Sequence, residues 1–537
     1  MMVVSILNIL NHIKRLSFWE SIDNNCHLKY RKTEDLINMK NHTFLLGIDL
    51  GSSSIKVSAI NAASGKLAGT TMSPEEEMDM AAFKPGWAEQ DPDLWWHHVK
   101  KAIKKLLASI NISKDSIAAI GISYQMHGLV LVDKNKRVLR PSIIWCDSRA
   151  AEIGEKAFNK IGPEKCLEEF LNSPGNFTAS KLRWVIENEP EIYSQIHKVM
   201  LPGDFIGMKM TGRICTTYSG LSEGIMWNFK KNALADEILD TYEIDKELIP
   251  ETLDSFGDHG TLTAEAAEQL GLKEETKVTY RAGDQPNNAY SLNALNPGEV
   301  AATAGMSGVI YGITDTPDYD EKSRVNTFVH VNHSAEENRY GVLLCVNGTG
   351  IMNSWLRKQF SIESRLSYGQ MNAFAEKAPI GSDELKILPF GNGAERIFEN
   401  RNIGAQVHGL NFNRHDISHL LRAAQEGIVF SLYYGFKIMQ EIGLSPDTVR
   451  AGKANMFLSP LFRDAFVNLT GTRLELFNTD GSQGAARAAG VGAGIYSNHS
   501  EAFIGLDKLE ILEPEPEKRK LYLEAYQEWL HTLESYL

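Results

Sequence analysis

At 537 residues the chain exceeds what one hydrophobic core organises, so two domains are expected. Its 43% apolar and 23% charged residues are those of a water-soluble globular protein, and no apolar run reaches the ~20 residues of a membrane-spanning helix. The formal net charge of -13 excludes nucleic acid as a general partner; it leaves room for an anionic ligand, which backbone amides and one bound cation can hold locally.

Residues 1–42 read as an N-terminal extension. MMVVSILNIL is apolar but too short to span a membrane, and it lacks the basic start and small-residue cleavage site of a signal peptide. Met39, just before the first strand, is a candidate natural start, which would leave residues 1–38 poorly ordered or outside the natural protein. Phe44–Ile60 (FLLGIDLGSSSIKVSAI) then reads as strand, tight turn, strand. Gly51 lets a backbone approach a ligand closely, and the hydroxyls and amides of Ser52, Ser53 and Ser54 can donate to phosphate oxygens. Asp49, where the strand leaves the core, suits a hydrated Mg²⁺. An ordinary hairpin turn has the same composition, and what distinguishes this one is its repetition. Glu299–Ile313 (EVAATAGMSGVIYGI) has the same plan around Gly305, Met306, Ser307 and Gly308. Two such hairpins predict two related halves facing each other across a nucleotide.

Between the hairpins, Asp91-Pro92 is expected to open a helix as N-cap and first-turn proline, with Trp95, Val99, Ile103 and Leu106 as plain core positions. Ile117–Ser123 is a buried-strand pattern, and with Ser142–Trp145 it delivers Gln125, Met126, His127, Asp147 and Arg149 to strand ends, where α/β folds bind ligands. Residues 150–270 read as mostly helical; Asp204, after Leu201-Pro202-Gly203, is expected to cap a helix rather than to act on a substrate. Lys277–Ala282 is a strand that ends on Gly283, Asp284 and Gln285. The second half is expected to carry a long helix over Ile417–Ile438 and a small-residue helix after Gly484, suited to close packing or to a ligand's approach. A tail helix with Leu521, Tyr522, Ala525, Trp529 and Leu533 should dock on the second domain. Five scattered cysteines without a C-x-x-C pair fit reduced thiols of a cytoplasmic protein.

Several of these stretches in order, GIDLGSSSIKV (47–57), GWAEQDPDLWW (86–96), GISYQMHG (121–128), WCDSR (145–149), AGDQ (282–285) and GMSG (305–308), resemble the FGGY sugar kinases, and within them xylulokinases most. The resemblance runs from about Leu45 to the C-terminus. It implies an α/β fold of two actin-like (ribonuclease H-like) ATPase domains with an interdomain cleft: residues 43–296 binding sugar and phosphate, residues 297–537 binding nucleotide. It implies ATP and Mg²⁺ as cofactors, Gly51, Ser52, Ser53, Ser54, Lys56, Gly305, Met306, Ser307, Gly308, Ala454 and Asn455 at the nucleotide, and Asp49 on the metal side. Gln125, Met126, His127, Asp284 and Gln285 would line the sugar, with Asp284 the general base on the C5 hydroxyl of D-xylulose. The expected partners are the sugar and ATP, without nucleic acid or membrane, and a homodimer is admitted.

Three positions depart from the family's pattern. Met306 replaces a threonine, the glycine-rich adenosine loop reads Ala454-Asn455-Met456-Phe457, and Gln285 stands where xylulokinases carry asparagine. In that loop Asn455 is expected to hydrogen-bond the base, with Met456 or Phe457 packing on its apolar face. The alternatives are a kinase for L-ribulose, glycerol or gluconate, a catalytically degenerate sugar sensor, and, more remotely, a chaperone- or actin-like ATPase.

Overall fold

The computed structural model describes residues 42–360 and 366–537. The expected N-terminal extension, apart from His42, and the candidate start Met39 lie outside the described residues.

Strands β1 (Phe44–Leu50), β2 (Ile55–Asn61) and β3 (Leu67–Ser73) form an antiparallel meander. Strands β4 (Ile117–Tyr124) and β5 (Lys277–Gly283) add in parallel beyond β1, giving the order β5-β4-β1-β2-β3. The second half builds β6 (Val300–Ala304), β7 (Gly308–Thr314), β8 (Asn326–Val329), β9 (Tyr340–Val346), β10 (Thr448–Gly452), β11 (Arg473–Phe477) and β12 (Lys508–Leu512). Their order is β8-β9-β7-β6-β10-β11-β12, and the inner five strands repeat the order and directions of the first sheet. The duplication read from the two hairpins is thus a duplication of whole sheets. Each hairpin closes at the same topological point: Leu50 pairs Ile55 and Ala304 pairs Gly308.

Helices α1 (Pro92–Ile110), α2 (Pro202–Thr211), α3 (Tyr218–Glu223), α4 (Asp284–Ser291), α5 (Ile417–Glu441), α6 (Gly481–Gly492) and α7 (Pro516–Glu534) fix the site. Side chains alternate across β1. Leu46, Ile48 and Leu50 share a core with Trp95, Val99 and Ile103 of α1. Leu45 instead packs on Ala486 and Ala489 of α6. On that second face a Cβ at Gly47 would overlap the Ser482 carbonyl, and one at Gly121 of β4 would overlap the Ala485 carbonyl. The small residues of α6 therefore serve backbone-to-backbone packing on the first sheet, although α6 follows a strand of the second.

The expected cap Asp91 is present, accepting from Asp93 N at 2.9 Å. Asp204 is not the N-cap: it is the third residue of α2, reaching back to accept from Leu201 N at 3.1 Å and pairing with the buried Arg281 at 2.9 Å. In α7, Tyr522, Tyr526, Trp529 and Leu533 enter the second core, and Trp529 donates to the Ile387 carbonyl at 2.9 Å. Leu521, expected on that face, is exposed: a step of one residue turns it about 100° away. Among the described residues no helix is long and apolar enough to cross a membrane.

Candidate active site

Asp49 stands at the end of β1, where Ser123 Oγ donates to its Oδ1 at 3.0 Å. Its other oxygen faces the start of α6, since a Cβ on Gly481 would lie 2.6 Å from Asp49 Oδ2. Asp480 caps that helix, accepting from Gln483 N at 3.0 Å, and lies 3.6 Å from Lys56 Nζ. Burial, then the charge of Asp480, raises the Asp49 carboxyl above its ordinary range. The turn Gly51–Ser54 is held from outside. Gln90 Nε2 donates to the Ser52 carbonyl at 2.7 Å, Trp95 Nε1 braces Gln90 Oε1 at 3.1 Å, and Trp145 Nε1 reaches Ser52 Oγ at 3.3 Å.

Gln90, Trp145 and Asp480 belong to this site in addition to the residues expected from the sequence. For the first two the signal was their place in the stretches 86–96 and 145–149; for Asp480 no local signal exists. Asp147 and Arg149, expected in ligand-facing loops, are instead buried architecture. Arg149 pairs with Asp147 and Glu89 at 2.6 Å each and lies 3.8 Å over the Trp87 ring. The Asp147 carboxylate also accepts from Ala88 N at 2.6 Å. This clamp ties residues 87–90 to residues 147–149 and, through Gln90, steadies the first hairpin.

The end of β4 carries Gln125, Met126 and His127. His127 adopts a left-handed backbone, φ 60°, uncommon for a residue with a side chain. It is held there by two bonds: its Nδ1–H donates to the Glu223 carbonyl at 2.7 Å, and Lys181 Nζ donates to the His127 carbonyl at 2.8 Å. Its ring packs against Phe177 at 4.7 Å and Phe328 at 5.5 Å. Burial, then nearby Lys181, lowers its pKa to about 3, so the ring is neutral and Nε2 is left as an acceptor. Gln125 is 3% exposed, and neither atom of its amide is hydrogen-bonded.

Asp284 opens α4 directly after β5, so β1, β4 and β5 bring Asp49, Gln125 and Asp284 to one edge of one sheet. Burial, then the charge of Asp49, raises the Asp284 carboxyl to about 7, against hydrogen bonds from Gln285 that lower it. A carboxyl near neutrality can hold or release a proton at working pH.

In the second hairpin, Gly350 N donates to the Gly305 carbonyl at 3.0 Å and Ile351 N to the Met306 carbonyl at 3.2 Å. The Met306 side chain is 56% exposed. Asn455, with φ 53°, brings its amide beside this turn: a Cβ on Gly305 would lie 3.6 Å from Asn455 Nδ2. Ala454 is exposed. Met456 and Phe457 correct the expectation. Both are buried in the second core, Phe457 against Phe462 and Phe466 at 5.3 and 5.7 Å, so neither offers a face to a base. Burying two apolar side chains wins over presenting them to a polar cleft.

Among the described residues no cluster of three or more His, Cys, Asp or Glu could cage a metal. Two sheets of one topology, each with a small-residue hairpin, define the actin-like class of fold. Residues 44–290 match the N-terminal domain of the FGGY family of carbohydrate kinases. The chain is 30% identical to the xylulose kinase of Bacillus subtilis (strain 168) over 466 residues, 85% of this chain and 90% of that one. In fold it is similar to a ligand-bound xylulose kinase from Lactobacillus acidophilus, with TM-score 0.82, 24% identity and coverage of 92% of this chain and 98% of that one. It is as similar to a gluconate kinase from the same organism, with TM-score 0.81, 24% identity and the same coverage. The chain belongs to the FGGY family of carbohydrate kinases, and is a sugar phosphotransferase.

Proposed function

We propose that the chain transfers the γ-phosphoryl group of ATP to the C5 hydroxyl of D-xylulose, giving D-xylulose 5-phosphate. The observation that carries this reading is Asp284, a carboxyl near pKa 7 at the strand edge shared with Gln125, Met126 and Asp49. Support for the sugar comes from the xylulose kinases among its relatives and from the residues Met126 and His127. Phosphoryl transfer asks the protein for positioning, charge neutralisation and a proton acceptor. Asp284 takes the proton from the attacking hydroxyl, a contribution of roughly 10²–10⁴ in rate. His127 Nε2 accepts from a sugar hydroxyl, and Gln125 and Gln285 offer amides to others. Gly51, Ser52, Ser53 and Ser54 with Lys56 hold phosphate oxygens from the first half, the sugar-and-phosphate domain 43–296. Gly305, Met306, Ser307 and Gly308 hold them from the nucleotide domain 297–537, with Ala454 and Asn455 beside the nucleoside.

The residues present fit Mg²⁺ carried in on the nucleotide, which keeps most of its waters and needs one or two carboxylates. Asp49 would hold it, its charge relieving the repulsion from Asp480, and a bound Mg²⁺ neutralises phosphate charge. The test is a coupled assay of ADP release with D-xylulose, L-ribulose, glycerol and gluconate. D-Xylulose should give the highest kcat/KM. A better polyol or L-ribulose would overturn the sugar, and no turnover with any acceptor would replace the kinase by a sugar sensor.

A further inference from the structure

We infer that the Glu223 carboxyl binds a hydroxyl of the acceptor, and that the site therefore takes uncharged ketoses or polyols and rejects aldonates. This rests on the kinase reading and narrows its substrate class. Glu223 ends α3 and is 1% exposed, yet neither carboxyl oxygen makes a well-aligned hydrogen bond with any described residue. Its hydrogen-bonding neighbours are the Tyr124 hydroxyl, itself buried without a well-aligned partner, and the His127 backbone amide. Nearby cations are committed elsewhere. Lys181 donates to the carbonyls of His127 and Ile144, Arg281 pairs with Asp204 at 2.9 Å, and Arg396 donates to Ser323 and Ser173. Buried polar groups are nearly always hydrogen-bonded, so a carboxyl whose two neighbours are both poorly aligned, at a ligand edge, points to a better donor that arrives.

Its position says which ligand. Gly283 precedes Asp284; a Cβ there would overlap Glu223 Oε2 and lie 2.6 Å from Met126 Cγ. Glu223, Met126 and Asp284 thus meet around a single backbone residue, while the Glu223 carbonyl fixes the His127 ring. The neighbouring Gln125 amide is buried and unbonded as well. Burial, then the charges of Asp284 and Asp204, holds the Glu223 carboxyl well above its usual range. A hydroxyl can donate to such a group, or accept from its protonated form. An aldonate carboxylate would set its charge beside the Glu223 and Asp284 carboxyls, while the buried guanidinium of Arg281 is already paired with Asp204.

The experiment measures ADP release by the full chain and by its Glu223→Gln and Glu223→Ala variants with D-xylulose, L-ribulose, glycerol and gluconate, plus calorimetry of the best neutral acceptor without ATP. The unsubstituted chain should prefer its best neutral acceptor over gluconate by at least 100-fold in kcat/KM. Glu223→Ala should raise the KM of that acceptor at least tenfold with the ATP KM within twofold, and Glu223→Gln should narrow the preference over gluconate at least tenfold. Gluconate as the best acceptor, or an unchanged acceptor KM in both variants, overturns the inference. Glu223→Gln keeps the side chain's shape and carries the test if the alanine variant does not fold. Because the probe is whichever neutral acceptor works best, failure of D-xylulose alone leaves the test intact. If no acceptor turns over, the kinase reading fails, and calorimetry on the same variants still decides whether Glu223 binds the sugar.

Discussion

Lys56 Nζ, on the second strand of the first sheet, lies 3.6 Å from Asp480 Oδ2, which follows the fifth strand of the repeated topology in the second. The pair is part-exposed, so its direct contribution to stability is small. What it does is geometric. It seats the N-terminus of α6 beside Asp49 and so joins the first hairpin to residues more than 400 positions away.

Asp284→Asn keeps the shape of the side chain and removes the proton acceptor. Turnover should fall by roughly 10²–10⁴ while the acceptor KM changes no more than about threefold. A variant with near-normal kcat would remove Asp284 from the chemistry. In the unsubstituted enzyme kcat/KM should rise with pH through an acidic limb near 7, because only the ionised carboxyl accepts a proton.

The same carboxyl has a signature in stability. Its folded pKa, about 7, lies above the roughly 4 of an unfolded aspartate. Its contribution is therefore fully present below the unfolded value and is lost as pH rises towards 7. The Tm of the unsubstituted chain should carry that decline between about pH 4 and 7, and Asp284→Asn should flatten it. Parallel Tm profiles for the two proteins would show that the carboxyl is not shifted.

His127 is neutral down to about pH 3, so no histidine limb should appear in the acceptor KM between pH 5 and 9. His127→Ala should raise the acceptor KM at least tenfold and the ATP KM by no more than about twofold, since Nε2 faces away from the Glu223 carbonyl. Equal changes in both constants would place the ring outside the sugar's reach.

Met306 stands where the family carries threonine, and its exposure leaves room for the exchange. Met306→Thr restores one hydroxyl to the second phosphate turn. A hydrogen bond to a charged group is worth about 1.5–3 kcal/mol, so Mg-ATP should bind at least tenfold more tightly in calorimetry. No gain would show that the turn binds phosphate through backbone amides alone.

Gly47→Val places carbon where the Ser482 carbonyl and Ala486 nitrogen of α6 now lie. Backbone cannot yield as a side-chain tip can, so stability in urea should fall by about 1–3 kcal/mol or more. Because α6 carries Asp480 beside Asp49, the ATP KM should rise in the same variant. A stable Gly47→Val protein with normal kinetics would show that α6 can shift without cost.

The two hairpins were legible because each is a local pattern: an apolar run on either side of a short turn of mostly Gly and Ser. The cap Asp91 was legible for the same reason, judged by its own few neighbours. Local pattern misled at Met456 and Phe457, where a loop's composition says nothing about which way its side chains turn, and the surrounding core decided. It also misled at Asp147 and Arg149, whose partners Glu89 and Trp87 lie in a separate segment of the chain.

By itself, then, the sequence determined the two hairpins, the strand ends that carry Asp49, Gln125 and Asp284, and the motif order that marks the family. The tertiary structure decided that α6 docks on the first sheet, that Asp480 stands at Lys56 and that Glu223 is buried near Asp284 and Tyr124. Strand periodicity and turn chemistry arise from neighbours along the chain. Close approach at Gly47 and Gly121, and the desolvation that raises a buried carboxyl, arise only when distant segments exclude water from one another.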